Sequence, residues 1–224
     1  MEKNRNSKVI AIIALLVAVV GLSVGFATYS ALLEISSSAH VTPTDDFDVY
    51  FSTTDESQST GDVTPVVKVG GEVLQEPSTG DPSGDAATLT ETTISGLRAN
   101  FTEPGQEIVY SFYAHNVSDY VAYLNKVNFV EIAEGKTKTC TASNVNTIGV
   151  NEACADISIK VQVGGTTADK TFTATNENVG GHTLAKNGYE SVIVTITYAD
   201  NGNRANGDFE VAFGDIKLTY NEVE

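Results

Sequence analysis

The segment Ala155–Val163, "ADISIKVQV", sets Ile157, Ile159, Val161 and Val163 apart by single polar residues. A period of two places the apolar side chains on one face of a strand and Ser158, Lys160 and Gln162 on the other, so this segment fits only a half-buried sheet. "GQEIVYSFYAHN" repeats the pattern, with Ile108, Tyr110, Phe112 and Ala114 sharing a face. "ATLTETTISGL", "YVAYLNKVNFVEI", "DKTFTAT", "ESVIVTITYAD" and "DFEVAFGDIKLTY" each read as one further strand, with turn residues between them. Strands at this spacing predict an all-β sandwich, jelly-roll-like, with no convincing helix in the body.

The N-terminus has a different character. "MEKNRNSK" is basic, and "VIAIIALLVAVVGLSVGFA" follows as 19 residues without a charge. That length lies between a signal-peptide core and a membrane span. Gly25-Phe26-Ala27 offers small residues for cleavage after Ala27, so residues 1–27 are expected to be a signal peptide, with a retained membrane anchor as the alternative. In both cases the positive end stays inside and the body crosses. A type IV pilin leader would carry a Glu near the start of the apolar run, but Glu34 follows the run.

Residues 28–41 form a second region. Tyr29, Ala31, Leu33, Ile35, Ala39 and Val41 alternate with polar residues, interrupted only by Ser37, with Leu32 on the polar face. Ser36 to Ser38 end any membrane span, and serines weaken helix in water. The expectation is a β-strand whose apolar face is buried in its own sandwich or in a neighbouring copy by strand donation.

Residues 42–224 are expected to be one β-sandwich domain. Its first strand carries Phe47, Val49 and Phe51 on one face. "VTPVVKVGGEVL" reads as a hairpin turning at Gly70-Gly71, with Pro65 suggesting an edge strand. The Gln75–Ala86 stretch, rich in Pro, Gly, Ser and Asp, is read as a surface loop, because too little chain precedes it for a separate core. The whole chain has a net charge of −16. Setting aside Lys3, Arg5, Lys8 and Glu2 leaves 10 basic against 28 acidic residues, or −18. Such a body repels nucleic acid and anionic lipid, so contact with a membrane is expected only through the N-terminal segment.

Cys140 and Cys154 are the only cysteines. An isolated pair at this spacing in an exported chain predicts a disulfide that ties off a long connection. No HExxH, G-x-S-x-G or phosphate-loop pattern is present, and no enzymatic activity is expected. His40, His115 and His182 are read as exposed polar residues. No cofactor is expected other than calcium. Its candidate ligands are Asp200, Asn201, Asn203 and Asp208 in "ADNGNRANGD", with Asp45, Asp46 and Asp48, and Asp81 and Asp85, as lesser groups. The first of these also reads as a polar turn. Asn100-Phe-Thr and Asn116-Val-Ser match glycosylation acceptor patterns.

"LRANFTEPGQEIVYSFYAHNVSDYVAYLNKV", Leu97 to Val127, resembles the signature strand pair of the TasA/camelysin group of bacterial surface and biofilm-matrix proteins. "LAKNGYESVIVTITYADN" and "GDFEVAFGDIKLTY" are similar to the group's later strands, and the leader ending near "FATYS" is similar to its leaders. The disulfide connection, the Gln75–Ala86 loop and "ALLEISSSAHV" depart from that pattern. The resemblance implies a jelly-roll-like body, export and assembly into fibres by strand donation. Metalloprotease activity described for camelysin-like members does not carry over, because no zinc signature is present. The function expected is an exported structural protein partnered by its own copies or by other surface proteins. The alternative is a membrane-anchored sandwich that binds a ligand at the cell surface.

Overall fold

The computed structural model describes residues 47–55, 61–75, 78, 80–164 and 169–222. The leader over residues 1–27 and the strand expected over residues 28–41 lie outside the described residues. The body, Asp45–Glu224, forms a compact unit by itself. Its strands in chain order are β1 (Val49–Ser52), β2 (Asp62–Val63), β3 (Val66–Val69), β4 (Glu72–Val73), β5 (Ser83–Gly84) and β6 (Ala87–Thr90). They continue as β7 (Thr93–Ser95), β8 (Arg98–Phe101), β9 (Gln106–Asn116), β10 (Ala122–Phe129), β11 (Lys138–Ala142) and β12 (Ile157–Gly164). The last are β13 (Lys170–Phe172), β14 (Thr183–Leu184), β15 (Tyr189–Tyr198), β16 (Phe209–Phe213) and β17 (Ile216–Glu222). One short helix, α1 (Val150–Ala155), precedes β12.

These strands make two antiparallel layers. The first runs β13-β12-β15-β9-β3-β4, with β1 sharing the outer edge of β9 with β3. The second runs β14-β10-β17-β7-β6-β2, and its order is repeated by β11-β16-β8-β5. β11 follows β10, β8 follows β7 and β17 follows β16, so this layer is one sheet broken by a kink. Phe213 N–H donates to Leu97 O at 3.0 Å, Gly214 N–H to Thr137 O at 3.1 Å, and Val130 N–H to Asp215 O at 2.9 Å across the break. A Cβ on Gly214 would lie 2.0 Å from Val130 O, so only glycine lets the chains pass this closely.

The pairing scheme identifies the fold. The kinked β7/β8 pairs with β16/β17, β9 with β15, β10 with β14, and β12 with β13. Numbered along the chain, the first strand of this set pairs with the last, the second with the seventh, the third with the sixth and the fourth with the fifth. That is a long hairpin rolled into two layers, a jelly roll. The expected inward residues form its core: Ile108, Tyr110, Phe112 and Ala114 from β9, and Ile157, Ile159, Val161 and Val163 from β12, are all buried. Each large apolar side chain sealed here contributes about 1.5–3 kcal/mol relative to exposure.

Several local expectations change. "ATLTETTISGL" is two strands: Glu91, at φ 49°, turns the chain back so that β6 pairs with β7. "DFEVAFGDIKLTY" is broken at the kink. β3 is not an edge strand, because it lies between β9 and β4, and Pro65 sits just before it, where no ladder N–H is needed. The body does contain a helix, α1, whose six residues are too few to display a helical period. The Gln75–Ala86 stretch contributes β5, whose Gly84 packs against Ile108 and Tyr110 where a Cβ would lie 2.6 Å from Ile108 Cγ2. Among the described residues, no helix is long and apolar enough to cross a membrane.

Candidate functional site: an open strand edge beside the disulfide

Among the described residues, the outer edge of the kinked strand formed by β10 and β11 is covered along one half only. On β10, Leu124 N–H donates to His182 O at 3.0 Å, and Asn125 O accepts from Val179 N–H at 2.9 Å. Val127 exchanges two backbone bonds with Asn176, and Phe129 N–H donates to Thr175 Oγ1 at 3.0 Å. Chain returning from β13 to β14 therefore closes this half. Among the described residues, β11 has no such cover. Thr137 O and Ser143 N–H both face the β16 side, bonding Gly214 and Asp208. By antiparallel alternation, Lys138, Cys140 and Ala142 turn their N–H and C=O groups the other way. Among the described residues, no group takes those N–H and C=O groups up.

Beside this edge lies a hollow of about 500 Å³, lined by the run from Gly135 to Cys140 and by Asn151, Cys154 and Ala155 of α1. Cys140 and Cys154 are bonded, with Cα atoms 6.0 Å apart, as their isolation as a pair predicted. The bridge fastens α1 beside β11 and holds the hollow's two walls together. Lys136 and Lys138 stand at its rim, two of the 13 basic residues in an acidic chain. Lys138 Nζ donates to Ile157 O, and partial burial lowers its pKa, with nearby Asp156 opposing.

His115 and His182 are not exposed. His182 and Glu190 are sealed at 0% and 1% exposure, with Nε2 2.7 Å from Oε2. Tyr220 Oη donates to Glu190 Oε1 at 2.6 Å, and burial, followed by the carboxylate, pushes the Tyr220 pKa well up. This buried group leaves a reacting molecule no approach and ties β14, β15 and β17 together. His115 is buried on the outer face of the first layer, stacked on Tyr50 at 5.7 Å and beside Tyr189. Its neighbours in the sheet, β1 and β15, supply those rings through the pairs Tyr50–His115 and Tyr189–His115. No sequence signal marks either burial, because both depend on strands paired across long stretches of chain. His40 lies outside the described residues.

The calcium candidates sit along the β15–β16 connection with separate partners. Asp200 meets Arg204 at 3.5 Å, Asn201 Nδ2 donates to Asp156 Oδ1 at 3.4 Å, Asn203 O accepts from Tyr198 Oη, and Asp208 O accepts from Ser143 N–H. Asp81 accepts from the Ser78 backbone N–H and hydroxyl, which lowers its pKa. Asp45 and Asp46 lie outside the described residues. Among the described residues, no group of three or more His, Cys, Asp or Glu is placed to share a metal ion. Asn116 is not an open glycan acceptor. It is 1% exposed, its Nδ2 donates to the carbonyls of Tyr120, Leu184 and Ala185, and its Oδ1 accepts from Ser118 N–H and Oγ. Asn100 is half-buried and donates to Ser83 Oγ at 3.4 Å. Tyr29, Ala31, Leu33, Ile35, Ala39 and Val41 lie outside the described residues.

No family model matches the chain, and searches of curated proteins and of solved structures found no match either.

Proposed function

We propose that this chain is an exported structural protein, a subunit of an extracellular fibre or matrix that joins its own copies by β-strand donation. One observation carries the reading: the rolled hairpin is complete without the N-terminal segment. All its strand pairs, first with last through fourth with fifth, lie between Thr93 and Glu222. The pairs of the roll therefore do not call on the alternating segment Tyr29–Val41, and as a strand that segment would carry an apolar face in need of burial. A strand given to a neighbour forms a head-to-tail contact, which need not close and so builds a filament. The resemblance of Leu97–Val127 to matrix proteins agrees with this reading. The test is assembly of purified protein followed by negative-stain microscopy. Protein beginning at Thr28 is expected to form fibres and protein beginning at Val41 to remain monomeric. Two forms that both stay monomeric would sink the reading.

A further inference from the structure

We infer that β11 is the acceptor: the Tyr29–Val41 strand of a second copy pairs with the open edge at Lys138, Cys140 and Ala142 and lies across the hollow between β11 and α1. The inference rests on the strand-donation reading and adds where the strand goes.

The first reason is the half-covered edge. Residues 175–184 close the β10 half, and the cover stops at the kink. Three N–H and three C=O groups then stand in a row on β11, which is what an added strand uses. The second reason is length. β11 has five residues, whereas the other strands ending a sheet are shorter: β13 has three, and β14, β4, β2 and β5 have two each. A short edge cannot hold a long partner in register.

The third reason is the hollow. A strand paired to β11 turns alternate side chains toward the disulfide and Ala155, and the row Tyr29, Ala31, Leu33 and Ile35 supplies apolar groups at that spacing. Charge is the fourth. Two bodies at −18 repel, but residues 28–41 carry only Glu34 and the edge carries Lys136 and Lys138. The same lysines oppose a seam between the β11 edges of two copies, which would gather them all in one place.

The test uses protein beginning at Thr28, which contains the whole compact unit. Residue-resolved amide exchange is compared between monomer and fibre. Exchange at Lys138, Cys140 and Ala142 is expected to slow at least tenfold on assembly, with Thr171 on β13 unchanged. Ala142→Pro is the matching variant. It deletes an N–H that bonds nothing among the described residues, so its thermal midpoint should stay near that of the unaltered protein while fibre yield falls at least tenfold. Fibres whose three amides exchange as fast as in the monomer, or a folded Ala142→Pro that assembles normally, would overturn the β11 assignment and leave strand donation with another acceptor. Failure of the unaltered protein to assemble would overturn both. If Ala142→Pro does not fold, the exchange measurement alone decides.

Discussion

At the scale of single residues, the buried tyrosines govern the response to alkali. Tyr220 donates to Glu190, and Tyr110 donates to the carbonyls of Asp85 and Arg98 at 2.9 and 3.0 Å. Burial is the first cause that raises both pKa values above the ordinary 10.0. A raised pKa means that the native state holds its proton where the unfolded chain has released it. The stabilisation is therefore intact below about pH 10 and is lost as pH climbs past that value. Urea midpoints measured from pH 8 to 12 are expected to be flat at first and then to fall, with the share of the near-ultraviolet tyrosinate signal that belongs to buried Tyr110 and Tyr220 rising only as the protein unfolds. A tyrosinate titration complete at pH 10 in folded protein would refute this.

Among the elements, the kink is the most demanding feature. Gly214 lets the β16/β17 strand pass the β10–β11 connection, and any side chain there meets backbone rather than a yielding side-chain tip. Gly214→Ala is expected to cost roughly 2–3 kcal/mol by forced overpacking. Gly61→Ala, with nothing within 4 Å of the new Cβ, should stay within about 0.5 kcal/mol. Urea unfolding of both variants checks the difference, and equal midpoints would count against the steric account. The elements also divide by how readable they are. β9 and β12 announce themselves because each sets four apolar residues in a row on one face, Ile108 to Ala114 and Ile157 to Val163. β11, "KTCTA", does not, since its edge position asks for little burial and its residues are mostly polar. α1 is too short to show a period, and its place beside β11 comes from a disulfide whose pairing was legible while the helix it anchors was not. The buried His182 sits in a Gly-rich stretch that looks like loop. Its environment is made by Glu190 and Tyr220, and Tyr220 arrives from the far end of the chain. The open edge was invisible for the same reason: which strand lacks a neighbour is a property of topology, not of local pattern.

For the molecule as a whole, the rolled pairing sets the kinetics. Arg98 and Glu210, 112 residues apart, bond across β8 and β16, and the other pairs nest inside them. Contacts so distant in sequence carry loop-closure entropy before they return any burial, so refolding with the disulfide intact is expected on the millisecond-to-second scale. Stopped-flow fluorescence of the tyrosines would show it, and a sub-millisecond phase carrying the full amplitude would contradict it. The pairing of the first roll strand with the last has a further consequence for delivery. A polypeptide that emerges N-terminus first, from a ribosome or through a pore, cannot shut this barrel-like wrap until Phe209–Glu222 has come out. Up to that moment β7 and β8 pair only with the short β6 and β5 on one side, and the roll stays open. The stretch Phe209–Glu222 thus sets the moment at which the body becomes rigid, because its strands are the ones that close the roll.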